Sequence, residues 1–220
     1  RYKAWLSEYQ STRYAGRYQR LVDEACRAEH KLGSERFSRA VARSLGKLMA
    51  YKDEYEVARL HARDDFIKQL QEQFTGAFQV HYHLAPPLLA KRNAHGLPTK
   101  RRFGPWMGRV FALLQHGKIL RGTPFDPFGH TAERRLERWL IDHYMATIRE
   151  VAAGLEKTNL DLAVEIASLP EHIRGFGHIK ARHWQEVEPR WQTLMARWRN
   201  PSGPDGAQPA ASPEKQPTAA

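Results

Sequence analysis

Apolar side chains recur at steps of three and four along almost the whole chain and alternate in one short stretch only, so helices must dominate the fold. Tyr2, Trp5, Tyr9, Tyr14, Tyr18, Leu21, Ala25 and Leu32 keep mostly helical spacing up to Gly33, which predicts one long helix or two with a break near Gly16. A second helix is expected from Ser34. It turns Phe37, Val41, Leu45, Leu48, Tyr51, Tyr55 and Ala58 inward, and Lys52, Asp53, Glu54, Glu56 and Arg59 toward solvent. Asp64 or Asp65 then caps a short helix with Phe66, Ile67, Leu70 and Phe74, ended by Gly76. After Gly104 and Pro105 the pattern resumes with Trp106, Val110, Phe111, Leu113 and Leu114. From His130 or Thr131 it runs through Leu136, Leu140, Tyr144, Ile148 and Val151 to Gly154. Thr158 and Asp161 form an approximate capping box for LDLAVEIASL, which Pro170 closes. Trp184, Val187, Trp191, Leu194 and Trp198 mark the last helix, where Pro189 predicts a kink or a fresh start. Such a tryptophan stripe belongs to a core or a subunit contact.

The exception is FQVHYHL. Phe78, Val80, Tyr82 and Leu84 alternate with Gln79, His81 and His83, as in a half-buried strand, and Pro86 and Pro87 end the run. The available partner is KRRF, reached through a loop with Asn93, Gly96 and Pro98, so a two-stranded β-ribbon is expected near residues 78–84 and 99–103. His81 and His83 would share one face, the geometry of paired metal ligands. With no Cys, Asp or Glu close by to complete a set, two partly exposed histidines are expected and no metal site is assigned. The fold class is mainly α: a multi-helix domain over residues 1–200, followed by a disordered Pro/Ala-rich tail over 201–220.

A chain of 220 residues with 41% hydrophobic content can bury one core. No apolar run reaches the roughly 18 to 20 residues of a bilayer crossing, so no membrane partner is expected. The single Cys26 excludes an internal disulfide and fits a reducing, cytoplasmic setting. Helical spacing begins at Tyr2, as though the chain starts inside an element, which suggests a fragment of something longer. The net charge is +11. Without the tail's Lys215, Asp205 and Glu214, the body holds 34 basic and 22 acidic residues, a charge of +12 that favours anionic partners.

Residues 121–138, RGTPFDPFGHTAERRLER, are the strongest local candidate for contact with such a partner. Gly122, Gly129, Pro124 and Pro127 stiffen the loop, and His130, Arg134 and Arg138 then stack at successive helical turns, beside Arg135 and below Arg121. Like charges at this spacing repel by roughly 0.2 to 0.5 kcal/mol per pair, so something should offset them. Either an external phosphate or carboxylate meets Arg121, His130, Arg134, Arg135 and Arg138, or the column is solvated and paired with Glu137, Asp142 or acids elsewhere in the fold. Asp53 and Glu54 could serve as an acid–base pair only if both faced one pocket. Adjacent helical positions point them apart, so a solvated surface is expected and no catalytic residue is assigned.

No phosphate-binding loop, dinucleotide fingerprint, zinc-protease helix or nucleophile elbow is present. Five stretches, KLMAYKDEYEVARL, HLAPPLLAKR, KRRFGPWM, LRGTPFDPFGHTAERRLER and LPEHIRGFGHIK, together resemble the carboxy-terminal region of the fused bacterial indolepyruvate ferredoxin oxidoreductases. The likeness spans roughly Tyr2 to Arg199, with the motifs in order. It implies a parent enzyme that decarboxylates arylpyruvates on thiamine diphosphate with magnesium, passes electrons through iron–sulfur clusters to ferredoxin, and transfers the acyl group to coenzyme A. This segment would be an accessory domain without cofactors, inactive by itself. Its implied partners are the upstream thiamine-binding and γ-type domains, coenzyme A or substrate, ferredoxin, and a second copy in a homo-oligomer. The alternative is a free-standing basic helical module that binds nucleic acid. Its expected sign is basic residues gathered on one face, whereas here Lys and Arg are spread over every segment.

Overall fold

The computed structural model describes residues 1–63, 68, 69, 72–74, 76, 78–85 and 99–202. Among these residues eight α-helices and a two-stranded sheet bear out the mainly helical expectation. Helix α1 is Tyr2–Tyr9 and α2 is Thr12–His30. The break falls at Gln10 and Ser11, not near Gly16, because the Ser11 hydroxyl caps α2 by accepting from Tyr14 N–H at 3.2 Å.

Helix α3, Arg36–Met49, has an unusual cap. Its first-turn donors are met by Glu29 of α2, whose buried carboxylate accepts from Phe37 N–H at 2.9 Å, Ser38 N–H at 2.8 Å and the Ser38 hydroxyl at 2.8 Å. The expected second helix does not continue through KLMAYKDEYEVARL. It stops at Met49 and restarts as α4, Glu54–His61, with Asp53 as its cap at 2.8 Å from Glu56 N–H.

Strand β1 (Tyr82–Leu84) pairs antiparallel with β2 (Arg101–Phe103), with Tyr82 opposite Phe103 and His83 opposite Arg102. The ribbon is where the alternation predicted it, and shorter. Helix α5 is Met107–Leu114, followed by a 3-10 turn, Gln115–Leu120. Helix α6 is Ala132–Ala153, with the Thr131 hydroxyl accepting from Arg134 N–H at 3.3 Å. The capping box before α7 (Leu160–Ser168) belongs to Glu156 and Asn159, not to Thr158 and Asp161, because a 3-10 turn, Lys157–Asn159, shifts the register. Pro170 sits in a further 3-10 turn, Leu169–His172, and Pro189 lies inside one unbroken helix α8, His178–Arg199.

Two cores result. The main one joins α1, α2, α3, α6, α7 and α8, and among the described residues takes no side chain between Tyr51 and Leu136. The second is small: Ala58, Tyr82, Met107 and Phe111 pack α4, the ribbon and α5 together, the support a lone hairpin needs. No described helix is long and apolar enough to cross a membrane. The helix expected over residues 66–74 and the tail from residue 203 fall largely or wholly outside the described residues.

Candidate anion-binding site

The carbonyls at and just beyond the end of α3 lack helical partners, and two tyrosine hydroxyls take two of them. Tyr14 donates to the Met49 carbonyl at 2.9 Å and Tyr9 to the Tyr51 carbonyl at 2.7 Å, which holds residues 50–53 unwound. Asp53 consequently turns inward. Arg121 meets its carboxylate with two donors, Nε at 2.5 Å and Nη2 at 2.9 Å, while Nη1 donates to the Tyr9 carbonyl at 2.7 Å. The guanidinium lies 3.7 Å from the Tyr9 ring centre. Only 2% of the Arg121 side chain and 3% of that of Asp53 reach solvent. Burial alone would lower the Arg121 pKa, but the hydrogen bonds and the charge of Asp53 outweigh it and the net direction is up. Burial also raises the Tyr9 hydroxyl well above its ordinary value and pushes Tyr51 up to about 12, so both are neutral near pH 7 and Tyr9 keeps the proton it donates.

The loop after Arg121 is braced by a second buried carboxylate. Asp126 accepts from the Tyr55 hydroxyl at 3.0 Å, from Gly122 N–H at 3.1 Å and from Phe128 N–H at 3.1 Å. Gly122 has φ +75°, as a left-handed turn requires; Gly129 is needed for space, since a Cβ there would sit 2.8 Å from an Asp126 oxygen. Arg134 donates to Glu54 at 3.2 Å. Burial works against its charge, and the Glu54 carboxylate more than restores it.

Against this wall opens a cleft of about 190 Å³, lined by Gln10, Tyr14, Arg17, Tyr51, Arg121, Gly122, Arg138, Ile141 and Asp142. Arg17 pairs with Asp142 at 2.7 Å with both side chains substantially exposed, and Arg138 donates to the Gly129 carbonyl at 2.7 Å. Arg121 is spoken for by Asp53 and Arg17 by Asp142, so Arg138 is the cation here without a carboxylate partner among the described residues. The cleft can receive a small anionic group between Arg17 and Arg138, with the Gln10 amide and an edge of the buried Tyr51 ring beside it.

The five residues singled out from sequence do not act as one column. Arg121 and Arg138 come together at the cleft. Arg134 is committed to Glu54, Arg135 is exposed, and His130 is exposed with Nε2 3.2 Å from the Pro124 carbonyl. Of the two readings of the sequence, pairing with acids elsewhere in the fold describes Arg121 and Arg134. Asp53 and Glu56 are buried and Glu54 is half-buried, which corrects the expected solvated face: the helix they were assigned to is broken, and Asp53 caps its second half. Gln10, Tyr14 and Arg17 gave no local signal, whereas Asp142, four residues after Arg138, did. His83 is exposed opposite Arg102, His81 precedes the strand, and among the described residues no cluster of three or more metal-ligating side chains occurs. The tryptophan stripe is partly core: Trp184 and Trp191 are buried.

One family matches the chain, over residues 1–193: a family of unknown function (DUF6537). No curated protein and no solved structure matches it.

Proposed function

We propose, from the premise that the chain belongs to the DUF6537 family, that it is a non-catalytic accessory domain of a cytoplasmic indolepyruvate ferredoxin oxidoreductase. Its cleft would receive an anionic group of coenzyme A or of the arylpyruvate. One observation carries the reading. The two longest stretches that resemble those enzymes, residues 47–60 and 120–138, are built against each other through Asp53–Arg121, Glu54–Arg134 and Tyr55–Asp126, and their junction forms a wall of a basic cleft. These two stretches therefore make one folded polar unit. With Cys26 as its one cysteine, the chain lacks the ligand set of an iron–sulfur cluster, which usually takes four cysteines, so thiamine diphosphate, magnesium and clusters would be held by the upstream thiamine-binding and γ-type domains. The body's excess positive charge would also favour an acidic ferredoxin.

Calorimetric titration of the full chain with coenzyme A and with inorganic pyrophosphate tests the cleft. Saturable binding is expected, weakened about tenfold by Arg138→Ala, because a hydrogen bond to a charged group contributes about 1.5 to 3 kcal/mol. Arg135→Ala, outside the cleft, should bind as the parent does. No saturable binding, or equal loss in both variants, overturns the reading.

A further inference from the structure

We infer that a second site, between α6 and α8, takes a small organic cation bearing a methylated ammonium head. Trp139, Trp184, Trp191 and His143 line a cavity of about 240 Å³ with Glu188 among its walls. The rings meet at steep angles: 71° between Trp139 and Trp184, 69° between Trp184 and Trp191, and 79° between His143 and Trp184. His143 lies parallel to Trp139 at 4.6 Å. Crossed indole planes of this kind form the walls of a box, and an indole face is the best aromatic partner for a cation.

The charge pattern selects the ligand. In a chain of net charge +11 this cavity has no uncompensated cation: Arg199 is tied to Glu150 by two hydrogen bonds, at 2.6 and 2.8 Å. Glu188 is half-buried and makes no ion pair among the described residues. Burial lowers the His143 pKa, with Glu188 opposing, so the imidazole is neutral near pH 7 and does not repel a cation. A core made only for packing would gain from closing over these rings, yet Trp139 remains 45% exposed at the mouth. The anion cleft uses other residues of α6, Arg138, Ile141 and Asp142, so the two sites can fail independently.

The test is calorimetry and tryptophan fluorescence on the full chain with choline, tetramethylammonium and the uncharged carbon isostere 3,3-dimethylbutan-1-ol. Choline and tetramethylammonium should bind saturably, about tenfold more tightly than the isostere. Trp139→Ala and Glu188→Gln, both at solvent-reached positions, should each weaken them several-fold while leaving pyrophosphate binding unchanged. Equal binding of the isostere, unaltered affinity in Glu188→Gln, or no saturable response to either cation at millimolar concentration overturns the inference.

Discussion

A guanidinium that touches a carboxylate, a carbonyl and a ring face has given up nearly all its water, and its stability contribution depends on every partner staying in place. Arg121 is such a group. Removing one member of a buried pair strands the other charge, so Asp53→Asn or Arg121→Met should each lower unfolding stability by about 3 to 5 kcal/mol. The double replacement Asp53→Asn with Arg121→Met should lose less than the sum, because no charge is left uncompensated. Urea denaturation of the four proteins checks this, and strict additivity would count against the pairing. Arg121 stood out in the sequence for its place ahead of a braced loop; Asp53, 68 residues away, stood out only as a possible acid–base partner of Glu54, not as a partner of Arg121. Its neighbours keep helical spacing, so it read as one more charge on a wet face. The available signal was Asp53 followed three residues later by Glu56, the spacing of a helix start, which periodicity concealed.

Among the elements, α3 depends most on others for its ends: Glu29 supplies its first turn, Tyr14 takes its last carbonyl, and Tyr9 holds the Tyr51 carbonyl just beyond. Burial raises the Glu29 pKa, but the hydrogen bonds from Ser38 and Phe37 outweigh this and hold it below the ordinary value. A folded pKa below the unfolded one means that the cap contributes fully above about pH 4.3, the unfolded value. That contribution is lost as pH falls through the lowered folded value. In acid titrations followed by circular dichroism, Glu29→Gln should be less stable than the parent at neutral pH, with the difference shrinking as the carboxylate protonates. A second constraint on α3 is close approach. A Cβ at Gly46 would lie 2.5 Å from the Tyr2 ring, so Gly46→Ala should push α1 off α3 and lower stability by about 1 to 3 kcal/mol, read by thermal melting. The helices themselves were legible wherever an apolar stripe met a clear stop, as in α6 before Gly154. Their breaks were not, because Ser11 and Asp53 act through hydrogen bonds that leave the spacing of large side chains undisturbed.

In the molecule as a whole, the mainly helical architecture and the ribbon followed from periodicity, because three-to-four and two-residue repeats cannot be satisfied by the same backbone. The division into two cores did not follow, since Tyr55 and Ala58 continue the stripe of α3 and yet face different company: Tyr55 bonds to Asp126 and Ala58 enters the small core. That division has a topological consequence. The chain leaves the bundle at Asp53 and returns at Arg121, and those two side chains grip each other. The described residues between 54 and 120 are thereby a pendant with a riveted neck. Lengthening a closed loop costs only about 0.6 kcal/mol per doubling, so an insertion within the pendant should cost the bundle little.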